Sequence, residues 1–487
     1  MPTYNQKEGQ KLSRFEIPMF DGLNMIVGEN LAKRTELGFI ENARSERIGW
    51  MTKRPGYTLL GQALGADFNY GLFDFLSDSH LLIRVSGNGS AANIYTYNIV
   101  TEVWDALIQT DSAMTPAECS FANANNCCFI VNGTDLNRYI LQDKTTVRDS
   151  SYAGGQLYNS PKAHLINYFR GRLYIGDYYN IDGTRSRTWI AFSSPLLGIA
   201  SLVSGDQSAP ITTLNVTTSQ YILPTGAGTD TVDFYRGATL LGSGTVTGRS
   251  ATTLTFSSPL AFSLQSSDEI WIGGTHDSTK VFRWDNRSTG TNAKEYDSFQ
   301  NLSNEDLTLI TNIDMIQLIC TPNSISAFDG TNIRPLSLDI GVCSSKSFAH
   351  ILGQGVFLHY TGIYSISSGS LPRLLTSKIQ QIFDNADPQQ LEQACAAANN
   401  FSYFVSIGDV PFYNTNGSLK RTMRNVVIEY NFRQNNVFVH SGIAMTNFVS
   451  YIQNSQKYLV FTYNNINKFA ATADTITCTE SVSITII

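Results

Sequence analysis

From residue 68 onward the chain alternates apolar and polar positions with a period of two, in short runs rich in β-branched and aromatic residues. Examples are 80–85, 93–97, 128–131 and 172–175, and later 316–320, 355–359, 402–407, 426–430 and 458–463. Successive side chains of a strand point to opposite faces, so this period predicts β-strands. Asn132-Gly133, Asp182-Gly183 and Asp329-Gly330 punctuate the runs. These pairs predict tight turns, because Gly and Asn accept the positive φ that such turns need. Helical spacing is scarce; a short helix is expected over 391–398 and helical pieces within 24–47. The fold class is mainly β.

Within this pattern one phrase recurs: a strand, a Gly- or Asn-containing turn, then a second strand ending in an aromatic residue or Asp. It occurs at 129–139, 318–329 and 356–366, and in longer form at 403–438. Units spaced roughly 40 to 60 residues apart match the four-stranded blade of a β-propeller. The expectation is a propeller of about six blades. A sandwich also has many short strands, but nothing in it requires this repeat.

Residues 206–276 break the pattern. Ser, Thr and Gly rise, basic residues nearly vanish, and Pro210, Pro224 and Pro259 interrupt the segment. Strand-like pieces at 231–235, 244–247, 253–256 and 268–272 predict a small independent β-domain carried on the propeller. The expected organisation is an extended N-terminal arm (1–65), a first set of blades (66–205), the inserted β-domain (206–276) and a second set of blades (277–487).

Composition narrows the functional classes. Hydrophobic residues make up 42% of the 487, enough for a sizeable core, while charged residues are only 15%, below the roughly 25% of ordinary soluble domains. A net charge of −6 argues against a sequence-independent grip on nucleic acid, which needs clustered Lys and Arg. Residues 1–11 are polar, so no secretory leader is expected. No apolar run is long enough for a membrane-spanning helix. The seven cysteines are odd in number and irregularly spaced, which predicts buried free thiols rather than disulfides.

Chemical motifs are sparse. Zinc-binding spacings are absent, and the closest histidine pair, His350 and His359, falls nine residues apart. The glycine-rich GSGTVTG at 242–248 lacks the Lys-Ser/Thr ending of a phosphate loop and is expected to be a hairpin turn. DGTRSRTW at 182–189 has the residue types of a sialidase box at the wrong spacing, so Arg185 and Arg187 are expected on a solvated or interface face. Tyr174, Tyr178 and Tyr179 could stack on sugars, although aromatics at this period usually fill the space between blades. No catalytic, cofactor or metal residue is assigned. Lys33, Arg34, Arg44, Arg47, Lys53 and Arg54 form the one basic concentration and are the candidate interaction residues, as a docking arm for an acidic neighbour or DNA backbone.

The opening of the chain carries a resemblance. FDGLN at 20–24 is followed by ENL at 29–31, ENAR at 41–44 and GWMTKRPGY at 49–57. Further matches are FRGRLYI at 169–175 with IAFSSP at 190–195, and GVCSSK at 341–346 with GVFLHYTGIY at 355–364. In this order they resemble the propeller proteins that form the hub or nozzle of short-tailed phages, over most of 20–200 and 280–470. The resemblance implies a structural virion protein of the tail, assembled in the host cytoplasm, and not an enzyme. It also implies a homo-oligomeric ring of six copies, with portal or tail-adaptor proteins and tail fibres or spikes as partners. DNA would pass through without sequence-specific binding. The alternative is a carbohydrate-binding propeller acting as an adhesin; a glycan-degrading enzyme is third. The apolar end, 482–487, would invite strand pairing and is expected to close a blade or a subunit contact.

Overall fold

A computed structural model describes residues 36–469 with breaks, together with the strand pieces Gly22–Leu23 and Ser483–Ile486. The longest breaks are 152–156, 195–199, 223–230, 273–281 and 285–295.

The period-two runs form antiparallel sheets of four strands, each an up-and-down meander. Blade 1 is Phe68–Leu76, His80–Gly87, Ala92–Asn98 and Val103–Ala106. Blade 2 begins at Ser120–Ala124 and ends at Thr146–Asp149, with Ile108–Gln109 added in parallel at its outer edge. Blade 3 runs from Ala163–Phe169 through Arg185–Phe192, and takes its fourth strand, Ser298–Gln300, from beyond the insertion. Blade 4 spans Leu309–Ile313 to Ile333–Ser337, and blade 5 spans Ala349–Ile351 to Arg373–Leu374. Blade 6 runs from Cys395–Ala398 to Asn436–His440. Blade 7 comprises Phe448–Gln453, Gln456–Tyr463 and Asn465–Phe469, completed by Tyr57–Leu59 from the start of the chain. Among the described residues the blades number seven, one more than the six units expected. Blade 7 draws on both ends of the chain and blade 3 is split by the insertion, so neither reads as one uninterrupted unit.

Blade faces explain why many runs are almost wholly apolar. Along Cys127–Val131 every residue is buried. Cys127, Phe129 and Val131 pack with blade 3, and Cys128 and Ile130 with blade 1. Each neighbouring pair of blades encloses such a cluster, including blades 7 and 1, where Tyr451, Val460 and Ile466 meet Leu72, Leu82 and Trp104. The sheets therefore close into a β-propeller, with the first strand of each blade at the centre. There aromatic side chains press on the strands. A Cβ on Gly71 would lie 2.6 Å from the Phe121 ring, and one on Gly355 2.3 Å from Phe348. The same crowding overrides the helix expected at 391–398. Pro388–Glu392 is helical, but Cys395–Ala398 is the innermost strand of blade 6, where small alanines fit. Glu36–Glu41 and Ala43–Arg47, in the region where helical pieces were expected, are strands as well.

Both chain ends join blade 6. Glu36–Glu41 meets its outer strand at Val439, and Ser483–Ile486 pairs antiparallel with Glu36–Glu41. The apolar C-terminal strand thus adds to the sheet outside the four strands of blade 6 and does not close a blade, which Tyr57–Leu59 does for blade 7.

The inserted domain begins slightly earlier than composition implied. Ser201–Leu202 opens its sheet and the core runs from Ala200 to Ile270. Its six strands are ordered Ser201–Leu202, Glu269–Ile272, Thr231–Arg236, Thr239–Ser250, Thr253–Leu260 and Ile211–Asn215. A bridge between Val203 and Val216 joins the two outer strands, which closes a small barrel and removes its free edges. GSGTVTG lies inside Thr239–Ser250 and not in a turn. Glycine is needed there because a Cβ on Gly244 would meet Leu260 at 2.6 Å.

Two outcomes are expected. Phe461, fully buried between blades 6 and 7, stacks on Tyr57 and Phe469. Phe461→Ala should cost about 3–5 kcal/mol in urea unfolding, and a loss under 1 kcal/mol would mean that blade 7 does not hold the ring. In the barrel, Asp268 accepts hydrogen bonds from Arg236 at 2.8 and 2.6 Å and from the Gln265 amide at 2.7 Å. The Arg236 hydrogen bonds hold its carboxyl below the usual range. That contribution is present above the unfolded value of about 3.9 and is lost as pH falls through the lower folded value. Asp268→Asn should therefore destabilise at pH 7, with the gap to wild type narrowing below about pH 4. A gap that does not change with pH would assign the loss to packing instead.

Candidate functional site

Where the seven inner strands meet they leave a central cavity of about 460 Å³. Every blade contributes to its wall, including Phe73, Phe121, Asn167, Ile310, Lys346, His350, Ala396, Asn447 and Lys457. Phe73 and Phe121 stack in parallel at 5.1 Å, and Asn167 and Asn312 hydrogen-bond across blades 3 and 4 at 2.7 Å.

The two mouths differ in chemistry. At the end where the inner strands begin, Lys346 reaches from blade 5 to Glu118 of blade 2 at 2.5 Å and donates to the Thr446 carbonyl of blade 7 at 3.1 Å. Blades 2 and 5 are as far apart as a ring of seven allows, so this ion pair spans the opening. At the other end, beside the first hairpin turns, lie His350, Lys457 and the Asp74–His80 pair at 2.8 Å. Burial, above all, raises the Asp74 pKa and lowers that of Lys457. Sequence reasoning missed this arrangement. Residues 118, 346 and 457 are far apart in the chain, and no local spacing marks them.

Of the basic concentration, only Arg54 has a described side chain. Lys33 and Arg34 lie outside the described residues. Arg44, Arg47 and Lys53 belong to a hairpin of Ala43–Arg47 with Trp50–Lys53. Arg54, by contrast, is 2% exposed; its Nε donates to Asn42 at 3.2 Å, and a guanidinium nitrogen approaches the Ser441 carbonyl at 3.5 Å. Arg54 fastens the arm to blade 6 and is not part of an exposed docking face.

The other sequence candidates resolve individually. Arg185 grips Asp177 at 2.6 and 2.5 Å, while Arg187 pairs with Asp306 at 3.0 Å in an exposed bridge of the kind that contributes little. No open arginine cluster forms from them. Tyr174 and Tyr178 are buried between blades, whereas Tyr179 is half-buried under Arg185. His350 opposes Gly355, four residues before His359 on the next strand. That is about 13 Å along the strand, too far for a shared ion. Among the described residues no three His, Cys, Asp or Glu gather as a metal site, and no helix is long and apolar enough to cross a membrane.

The fold and cavity define the chain as a β-propeller with an inserted β-barrel. No family profile and no curated protein matches the sequence. Among solved structures, the phage phi92 endosialidase is similar at a TM-score of 0.31 and 8% identity, over 88% of this chain and 70% of that one. YCF48 from Cyanidioschyzon merolae gives 0.34 and 8%, over 83% and 98%. The computationally designed Ika8 protein gives 0.36 and 11%, over 84% and 99%. At these values nothing of their roles carries over.

The cysteines give a direct check. Cys127, Cys128, Cys320, Cys343 and Cys395 are buried and Cys119 partly so, all unpaired. Burial pushes the thiols of Cys127, Cys343 and Cys395 up to about 12. These six should resist a thiol reagent at pH 8 in the native protein and react once it is unfolded in urea. Rapid native labelling, mapped to these residues by mass spectrometry, would show that the blades open.

Proposed function

We propose that this chain is a structural subunit of a phage tail, one copy in a ring-shaped hub or nozzle that encloses the DNA exit path. The observation that carries this reading is the extension of blade 6. Gly22–Leu23, Glu36–Glu41 and Ser483–Ile486 enlarge that sheet outside the ring, and among the described residues no further strand pairs with the C-terminal one. A strand edge of this kind offers backbone hydrogen bonds to a neighbouring copy. The hairpin bearing Arg44, Arg47 and Lys53 follows directly. The order of motifs at the start of the chain supports the same reading.

Cavity size bears on the DNA path. A volume of about 460 Å³ is that of a small-molecule site, roughly 300–1,000 Å³. Duplex DNA, with a major groove alone about 12 Å wide, does not fit through a single propeller. Any passage for DNA therefore lies between copies, and a ring of repeated head-to-tail contacts would enclose it. A net charge of −6 suits a wall along which DNA slides without sticking. The inserted barrel would face a fibre, a spike or the host.

Solution mass and negative-stain imaging of the purified chain, alone and with a tail adaptor, test the proposal. Rings in either condition are the expected result, and six copies is the expected number. Arg44→Glu together with Arg47→Glu should weaken ring formation. A strict monomer that ignores adaptors and is retained on a glycan array would replace this reading with a carbohydrate-binding propeller.

A further inference from the structure

The central cavity has features that a spacer between blades does not need. Lys346, held by Glu118 and the Thr446 carbonyl, spans one mouth, so the space is a cup more than a tunnel. Phe73, Phe121, Phe348 and Ile310 give it an apolar wall. Two groups with hydrogen-bonding capacity face that wall. Lys457 is half-buried at the cavity, and no acceptor among the described residues binds its ammonium. His350 lies against the edge of Phe348 at 5.2 Å and is exposed at the cavity mouth. Asp74 on the adjoining blade favours the Lys457 charge. Its Oδ2 is taken by His80 at 2.8 Å, its Oδ1 is buried without a hydrogen bond among the described residues, and Asp74 acts on Lys457 through its charge and not through a close ion pair. A cation held beside apolar surface without a partner is costly unless a counter-charge compensates it.

We propose that the cavity binds a small organic anion, with its carboxylate or phosphate on Lys457 and His350 and its carbon body against Phe73, Phe121 and Phe348. The volume of about 460 Å³ falls in the usual range for such ligands, roughly 300–1,000 Å³. The anion would touch blades 5 and 7 through its charge and blades 1 and 2 through its body. Binding would therefore tie together strands distant in the sequence and stabilise the folded ring of blades. Ser120 and Thr311, which also line the cup, would favour a ligand bearing hydroxyl groups.

Isothermal titration of the full chain with three probes, inorganic phosphate, citrate and gluconate, tests the assignment. Saturable binding of at least one probe is expected, with a rise in melting temperature at saturation. Phosphate binding without the carboxylates would identify a phosphate ester as the ligand class; citrate or gluconate binding would identify a carboxylate. Lys457→Met should weaken the bound probe about tenfold or more, and His350→Gln provides a second variant should the first fail to fold. No saturable binding of any probe to wild type, or binding unchanged in both variants, would overturn the proposal. Oligomeric state does not enter this readout, so its failure and the failure of the tail-ring reading are distinguishable.

Discussion

The structure depends on the pairing of Tyr57–Leu59 with Asn465–Phe469. Each blade is apolar on both faces, and a row of such sheets would leave two greasy faces in water. Only closure into a ring covers both. Blade 7 has three strands of its own, and the fourth arrives from the start of the chain. That strand brings Tyr57 onto Phe461, Tyr463 and Phe469. Immediately after it, the Leu60 carbonyl accepts from Trp104 Nε1 at 3.0 Å, and Gln62 accepts from the Trp104 amide at 2.7 Å. One short segment therefore locks the last blade to the first. The cost is a loop closure spanning almost the whole chain, which grows only slowly with length.

Closure also fixes what the centre can be. Seven inner strands converge on a space narrow enough that alanines and glycines are required at several positions, yet wide enough to leave a cavity. Side chains that converge there come from unrelated parts of the sequence. The pair between Lys346 and Glu118 exists because the ring sets blade 5 opposite blade 2. The same geometry turns Lys457 and His350 toward one space. The inserted barrel, by contrast, has its own core and closed sheet, and leaves blade 3 intact around it.

Much of the architecture was legible along the chain. Alternation marked nearly every blade strand, and the Asx-Gly pairs marked their turns. Asp329 shows why: its side chain accepts from the Thr331 and Asn332 amides at 2.8 and 2.7 Å, and Gly330 takes a φ of 96°. The change in composition near 206 marked the barrel to within a few residues. The helix expected at 391–398 failed because local propensity is weak beside the demand for a small-residue strand at the crowded centre. Arg54 was grouped with the exposed basic residues because sequence spacing does not reveal that a side chain is buried against a strand hundreds of residues away.

The sequence by itself determined the β class, the blade phrase, the separate inserted domain and the unpaired state of the described cysteines. These follow from local rules: the two-residue period of a strand, the φ demanded by a turn, the composition of a segment. Tertiary structure alone decided the seventh blade, the fastening of both chain ends to blade 6 and the composition of the central cavity. Each of these joins residues across long stretches of chain, and their proximity arises only when the faces of all seven sheets are buried together.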